Sequence, residues 1–277
     1  MGNKILFGTA GVPNSTINKN SLIEGVKQIG QLGLDCMQLE FVHGLRMKKE
    51  MVSELRRVSY ELDIPLTSHG PQYINLNARE QDKIDSSVDR LIQFAKISDS
   101  CGVESMAFHA AFYMKDSPYD VFNLVEKSMN VIEERLNRLD IDVSLRPGIT
   151  GKVSQFGSLD ELISLTKKVN SCHPCMDFSR LYARTKTYNT EREFDYVIQR
   201  LRDELGEEAI SNMHIHISGT DMISKGELKN LNLGESDFNW KELLNSLKNN
   251  GCGGYMICNS PNKERDALML KDYYNSI

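Results

Sequence analysis

The sequence predicts an α/β fold, a single (β/α)8 TIM barrel that comprises residues 1–277, and three observations support this prediction. Eight short apolar segments alternate with eight segments of helical periodicity along the chain. No linker, low-complexity tract or shift in composition marks a second domain. The length of 277 residues is common for an α/β barrel with one large core. Because parallel strands joined by helices form a parallel sheet, eight such units are expected to close into a barrel.

The predicted strands are short apolar runs, several of which end at a turn signal such as Gly70-Pro71. The seventh, Met213–Ile217, alternates apolar and imidazole side chains, so His214 and His216 are expected to point to one face and the apolar residues to the other. The predicted strands are Ile5–Phe7, Cys36–Phe41, Leu66–His69, Ser105–His109, Asp142–Leu145, Pro174–Asp177, Met213–Ile217 and Gly254–Cys258.

The predicted helices have apolar residues at helical spacing, and several have a recognisable first or last residue. Ser21 is a preferred N-cap, Pro118 suits the first helical position, and Gly206 follows the last residue of a helix. The predicted helices span Leu22–Leu32, Lys48–Leu62, Gln81–Cys101, Pro118–Leu139, a segment from Ser158 or Asp160 to Val169, Thr190–Leu205, Asn239–Asn249 and Asn262–Tyr274.

Composition excludes several classes of protein. The net charge of -5 gives no global basic field for nucleic acid, so such a partner would need a local basic patch. The six cysteines do not form a disulfide pattern, and Cys172 and Cys175 form a CxxC without a second pair at zinc-ribbon spacing. No run suits a membrane span or a signal peptide. We therefore expect a cytoplasmic protein without a membrane partner.

Polar side chains collect at the carboxyl ends of the predicted strands, where active sites of such barrels lie. Four of the six histidines are among them, which is a plausible ligand set, with one carboxylate, for zinc, manganese or iron. The alternative is that these imidazoles are hydrogen-bonded polar filling of the barrel. The residues at the strand ends are Glu40, His69, His109, Arg146, Asp177, His214, His216 and Asn259.

Six segments resemble the endonuclease IV family of abasic-site DNA repair enzymes, within the wider xylose isomerase-like barrel superfamily, and most closely its archaeal-type members. The resemblance implies cleavage of the DNA backbone 5′ to an abasic site by a cluster of three zinc ions. It also implies that His69, His109, Asp177 and His214 match metal ligands of the family. The segments are Ser68–Leu76, Ala107–Tyr113, Arg146–Leu159, Pro174–Arg184, Met213–Gly219 and Ile257–Pro261.

The sequence departs from the family pattern at the other ligand positions. Gly148 stands where a bridging glutamate is expected, Arg180 replaces a histidine, and Asn259 replaces a glutamate. Leu228 and Asn230 stand at the positions of a further ligand pair. Glycine offers no ligand and arginine repels a cation. We therefore expect no three-zinc cluster, one zinc ion at most at His69, His109, Asp177 and His214, and no organic cofactor.

Arg180 suggests two alternatives. Arginine binds phosphate through two parallel hydrogen bonds, so Arg180 is a candidate anion clamp together with Arg146 and Lys152. Asn230 and Asn259 are further candidates for ligand binding. Alternatively, Arg180 fills the vacated space and pairs with Asp177, which would replace a metal site by a salt bridge.

Three functions follow. The first is an endonuclease IV-like phosphodiesterase with weak or lost activity, and the second is a non-catalytic binder of nucleic acid or of a phosphate-bearing ligand. The third is a mononuclear-metal sugar isomerase or epimerase, in which Glu40 or another carboxylate would be a candidate proton-transfer base. The candidate catalytic residues are Glu40, Asp177 and His216. The expected partner is DNA or a small phosphate or sugar ligand, and the family likeness suggests a monomer.

Overall fold

The structure is a computed structural model that describes residues 3–40, 47–71, 73–222 and 228–277, apart from the side chains of residues 222 and 228. Its strands, in chain order, are β1 Ile5–Ala10, β2 Cys36–Glu40, β3 Leu66–His69, β4 Val103–Phe108, β5 Ser144–Pro147, β6 Cys175–Asp177, β7 Met213–Ile217, β8 Gly219–Met222, β9 Leu228–Leu231 and β10 Gly254–Cys258.

Eight of these strands form a parallel sheet in the order β5-β4-β3-β2-β1-β10-β7-β6. The remaining gap, between β5 and β6, is closed by parallel bridges from Leu145 to Cys172 and from Gly148 to Cys175. The backbone N–H of Ile149 donates to the carbonyl of Cys175 across it at 3.0 Å. The predicted (β/α)8 barrel is therefore confirmed.

The helices surround the barrel. They are α1 Leu22–Gln31, α2 Lys49–Glu61, α3 Gln81–Ser100, α4 Pro118–Arg138, α5 Leu159–Thr166, α6 Phe178–Thr185, α7 Glu191–Leu205, α8 Glu208–Ser211, α9 Trp240–Asn249 and α10 Glu264–Ser276. Ser21, Ser117 and Ser158 each accept a backbone N–H at a helix start, as N-caps do. None of the described helices has the length and apolar character needed to cross a bilayer.

Strand alternation separates two cores. Outward side chains such as Met37, Leu39 and Ile215 pack under the helices, whereas Ala10, Cys36, Tyr255 and Ile257 pack together inside the barrel. The barrel interior also contains many polar side chains. The alternation of β7 is as predicted, since His214 and His216 both contact the inward-pointing Gln38.

The structure corrects the sequence prediction in four places. The fifth strand starts two residues later than expected, and β1 continues to Ala10. Gly8 allows this continuation, because a Cβ there would lie 2.1 Å from the carbonyl oxygen of Cys36. The short helices α6 and α8 were not predicted. Ser218-Gly219, interpreted as a turn, instead leads into an antiparallel hairpin of β8 and β9.

Candidate functional site at the barrel mouth

The four histidines from the strand ends form a continuous row. The ring centroids of His69 and His109 are 5.7 Å apart, those of His69 and His216 are 5.8 Å apart, and those of His214 and His216 are 5.0 Å apart. His69 is the last residue of β3 and His109 follows β4, whereas the other two belong to β7. The parallel strands therefore bring together imidazoles that are up to 147 positions apart in sequence.

The row has two levels. His216 pairs in register with Asp177, and His214 pairs with Cys175, two residues earlier on β6. His214 is fully buried, and its Nδ1 lies 2.8 Å from Ser105 Oγ. The imidazole of β7 at the level of Asp177 is therefore His216. His214, which the family resemblance made a metal ligand, lies one level deeper in the barrel.

Gln38 connects the two imidazoles of β7. Its Oε1 lies 2.7 Å from His216 Nε2 and 3.3 Å from His214 Nε2, and its own Nε2 donates to Glu40 Oε1 at 3.4 Å. Because an amide oxygen only accepts hydrogen bonds, both Nε2 atoms carry the proton in this arrangement. Glu40, the candidate base, is exposed at the end of β2 and in register with His69.

Arg180 lies between Asp177 and His109. Its Nε is 3.1 Å from Asp177 Oδ2, and its Nη1 is 2.8 Å from His109 Nε2. Asp177 also caps α6, because its Oδ1 accepts the backbone N–H of Arg180 at 2.9 Å and the Ser179 hydroxyl at 2.7 Å. The alternative in which Arg180 pairs with Asp177 is therefore the geometry found.

Burial keeps the imidazoles neutral. It lowers the pKa of His69, His109, His214 and His216, and the neighbouring Arg180 guanidinium further lowers the pKa of His109. Burial also raises the pKa of Asp177, although Arg180 and the two hydrogen bonds to Oδ1 oppose this shift. The site thus contains neutral nitrogen donors beside one ion pair.

Gly148 leaves space beside His109. A Cβ at position 148 would lie 3.7 Å from His109 Nδ1, which is buried and has no hydrogen-bond partner in the described ranges. With Gly148 offering no carboxylate, Arg180 between Asp177 and His109, and an amide at Asn259, the described residues do not fit the three-zinc cluster that the resemblance implies.

The structure separates Arg146 from the mouth. Its Nη2 donates to the carbonyl of Asn212, which precedes β7 at the amino end of the barrel, at 3.0 Å. Burial lowers the pKa of this guanidinium to about 10. Arg146 therefore does not join Arg180 in a clamp, which corrects the grouping expected from the sequence.

The remaining predicted ligand-binding residues lie on the rim. Lys152 follows β5, and its carbonyl accepts from Arg184 Nη1 at 2.7 Å. Asn230 and Asn259 are in contact, since Asn230 Nδ2 donates to the carbonyl of Asn259 at 3.1 Å. The prediction for Leu228 concerns a side chain outside the described part of the chain.

Three residues of the site escaped the sequence analysis: Gln38, Cys175 and Arg184. One donor atom from each of Cys175, His214 and His216 lies within 4.8 Å of the other two, a spacing that could hold a metal ion. Strand alternation could have identified Gln38 and Cys175. In CMQLE it places Gln38 on the same face as Glu40, and in CMD it places Cys175 on the same face as Asp177. No local pattern distinguished Arg184 from other helical arginines.

The fold and the site define a parallel eight-stranded barrel whose polar side chains meet at the carboxyl ends of the strands. The family model described as xylose isomerase-like TIM barrel matches residues 26–273, and the chain belongs to this family.

Among relatives in sequence, an uncharacterized protein of Methanocaldococcus jannaschii is 39% identical over 274 residues, which covers 99% of this chain and 98% of that protein. A probable endonuclease 4 of Aster yellows witches'-broom phytoplasma is 25% identical over 178 residues, 62% of this chain and 60% of that protein. The second match supports the relationship to endonuclease 4 proteins that the sequence segments suggest.

Solved structures share the fold. Endonuclease IV from Thermus thermophilus has a TM-score of 0.73 at 16% identity, covering 97% of this chain and all of that chain (100%). A D-tagatose 3-epimerase-like protein has a TM-score of 0.72 at 15% identity, with 98% and 96% coverage. At these identities the likeness concerns the fold alone.

Proposed function

We propose that this chain is an endonuclease IV-related barrel that binds a phosphate-bearing ligand at its mouth and has weak or lost nuclease activity. One observation carries the proposal: the Arg180 guanidinium lies 3.1 Å from Asp177 and 2.8 Å from His109. A permanent cation thus lies between two residues that the family resemblance makes metal ligands. The positive charge of Arg180 would repel a metal ion at this position. We therefore expect the Arg180 guanidinium, rather than a metal ion, to bind the anionic ligand.

Arg180 retains capacity to bind such a ligand. About a quarter of its side chain (24%) is exposed, and its Nη2 makes no hydrogen bond to the described residues. His69 Nδ1 donates a hydrogen bond to the carbonyl of Gly70 at 2.9 Å. The other ring nitrogen, Nε2, therefore faces the row of imidazoles. A phosphate oxygen can accept from Arg180 Nη2 while Asp177 keeps the guanidinium in place.

The rim favours nucleic acid as the source of the phosphate. Large apolar side chains are exposed on three loops that follow barrel strands: Tyr73 (80% exposed) after β3, Phe112 (40%) after β4 and Val153 (72%) after β5. Lys152 adds a positive charge beside Val153. Two of these side chains, Tyr73 and Phe112, are aromatic, and exposed aromatic rings stack on nucleic-acid bases while cationic side chains bind the phosphates. A small sugar phosphate does not need exposed aromatic rings.

The experiment is a titration of wild type, Arg180→Ala and Arg180→Lys with inorganic phosphate and with an abasic oligonucleotide. We expect at least tenfold weaker binding for Arg180→Ala, and a smaller loss for Arg180→Lys, which keeps the charge without the fork of donors. Arg57→Ala, on the exposed face of α2, is the matched control.

Unchanged affinity in Arg180→Ala would remove the clamp. Cleavage of the abasic oligonucleotide by wild type, abolished by a chelator, would contradict the loss of nuclease activity.

The same samples give the metal content, for which we expect one zinc ion or none per chain. The monomeric state stays a prediction that the same titrations, run on a sizing column, would test.

A second candidate is a sugar epimerase, favoured by the position of Glu40. This exposed carboxylate stands at the end of β2 in register with His69, where a small substrate at the mouth could reach it. Exchange of substrate hydrogen with deuterated water, measured on ketoses with wild type and Glu40→Gln, tests it. Exchange that Glu40→Gln abolishes would favour the epimerase over the binder.

A further inference from the structure

Cys175 and His214, one level below the mouth, form a second group of metal donors together with His216 in the level above them. Cys175 pairs in register with His214 across β6 and β7, and all three side chains point into the barrel. One donor atom from each lies within 4.8 Å of the other two, and all three residues are buried. The sequence analysis found no site in the CxxC that contains Cys175, because the partners of this thiol come from another strand.

The donor set suits a thiophilic ion. One sulfur and two imidazole nitrogens are ligands that zinc accepts in tetrahedral sites. His214 Nδ1 is held by the Ser105 hydroxyl at 2.8 Å, an orienting contact that ligating imidazoles commonly make through the ring nitrogen that does not bind the ion. Its Nε2 and that of His216 converge on Gln38 Oε1, at 3.3 Å and 2.7 Å, which places an amide oxygen beside them as a fourth donor.

The proposed donors do not include the two residues that Arg180 contacts, Asp177 and His109. The ion pair at the mouth therefore does not block the group. Arg146 is 3% exposed, has no ion-pair partner in the described segments, and interacts electrostatically with Cys175. A thiolate at Cys175 would add a negative charge that favours the buried guanidinium of Arg146.

We propose that Cys175, His214 and His216, with the amide oxygen of Gln38, bind one zinc-class ion inside the barrel. Binding forms one metal–sulfur and two metal–nitrogen bonds and releases the thiol proton of Cys175 to solvent, while the ring proton of each imidazole moves from Nε2 to Nδ1. With four protein donors and no open position, the ion would stabilise the barrel rather than act on a substrate. This inference does not rest on the binding of phosphate at the mouth.

Cobalt reports on such a site, because a Co²⁺–thiolate bond gives a charge-transfer absorption that imidazole and carboxylate ligands do not give. We expect chelator-treated wild-type protein to develop this absorption with one equivalent of Co²⁺ and to lose it when zinc is added. Cys175→Ser should abolish the absorption and weaken cobalt binding at least tenfold.

Cys172→Ser is the matched control, because Cys172 is equally buried and belongs to the same CxxC but packs in the layer under the helices. We expect it to keep the cobalt absorption, and so should Asp177→Asn, because Asp177 is not one of the proposed donors. Zinc should raise the melting temperature of wild type and of Cys172→Ser but not that of Cys175→Ser.

Absence of the thiolate absorption in wild type would overturn the inference, and so would its persistence in Cys175→Ser or its loss in Asp177→Asn. The wild-type measurement needs no variant, so it decides even if Cys175→Ser does not fold. The phosphate titration of Arg180→Ala tests the proposed function, and its result does not depend on whether the cobalt absorption is observed.

Discussion

Arg180 Nη1 lies 2.8 Å from His109 Nε2, and this contact fixes the protonation of the imidazole. A guanidinium only donates hydrogen bonds, so Nε2 is the acceptor and the ring proton resides on Nδ1. His109 Nδ1 is buried without a partner in the described ranges, and it lies 3.7 Å from the place where a Cβ of residue 148 would be. Arg180 and Gly148 thus jointly leave one N–H without an acceptor among the described residues.

We predict that Gly148→Ser stabilises the protein relative to Gly148→Ala by about 1 kcal/mol, because the hydroxyl can accept the unpaired N–H of His109. Both variants should fold, since the nearest atom to an added Cβ is 3.6 Å away. Chemical denaturation of the two variants measures the difference.

Gly157→Ala is the contrasting control. Gly157 has φ +124°, and a Cβ there would lie 2.5 Å from the carbonyl oxygen of Gly148, so we expect a loss on the order of 2 kcal/mol. If Gly148→Ser were no more stable than Gly148→Ala, His109 would already have an acceptor such as an ordered water.

Gln38 should contribute more to stability than an ordinary polar residue. Gln38→Leu removes the one oxygen that accepts from both His214 Nε2 and His216 Nε2, and leaves two buried donors unpaired. We expect a loss of about 3 kcal/mol in metal-free protein, measured by chemical denaturation after chelator treatment. Gln199→Leu, the same change at an exposed glutamine of α7, should cost less than about 0.5 kcal/mol. Equal losses would mean that the imidazoles rearrange to find other partners.

The barrel was predictable because its signals are local. Helical periodicity, N-caps such as Ser158 and the alternation of Met213–Ile217 each act within a few residues. The short helix α6 was missed because its first turn depends on Asp177, which the sequence analysis assigned only to the site. The hairpin was missed because its pairs, such as Thr220 with Asn230, join residues up to twelve positions apart in sequence.

The site was predictable in its members but not in their contacts. Topology brings strand ends together, so the convergence of His69, His109 and His216 follows from the fold class. The direction of Arg146 toward the amino end of the barrel depends on its side-chain conformation, which strand alternation does not specify. Likewise, the contact of Gln38 Oε1 with both imidazoles of β7 depends on the position of β2 relative to β7 across the barrel.

Arg184 should hold the loop that follows β5. Its Nη1 donates to the carbonyls of Thr150, Lys152 and Gln155 at 3.2, 2.7 and 3.0 Å. Hydrogen bonds from a charged donor are worth more than neutral ones, so Arg184→Ala should cost about 2 to 3 kcal/mol. Hydrogen exchange should accelerate at the amides of residues 151–157.

Arg57→Ala serves as the control for this loop. Among the described residues Arg57 pairs with Glu61 on the exposed face of α2, so its loss should leave the stability nearly unchanged. If exchange in residues 151–157 were the same in Arg184→Ala as in wild type, the loop would be held by other contacts, such as the Tyr113 N–H to the carbonyl of Ser154.

The metal chemistry of the mouth should be recoverable by substitution. We predict that Gly148→Glu, Arg180→His, Asn230→His and Asn259→Glu together increase the zinc content above that of wild type and produce cleavage of an abasic oligonucleotide. Position 148 has room for a side chain, and Arg180→His removes the guanidinium between Asp177 and His109. Zinc content by mass spectrometry and cleavage with and without a chelator measure the outcome.

The three-site variant that keeps Arg180 is the informative comparison. It restores two carboxylates and an imidazole, but the guanidinium still holds Asp177 Oδ2 and His109 Nε2, so we expect it to bind less zinc and to remain inactive. If both variants fold and bind equal zinc, Arg180 does not exclude the metal. The reason for weak hydrolysis would then lie in the missing ligands alone, since the bridging position at Gly148 has no donor of its own.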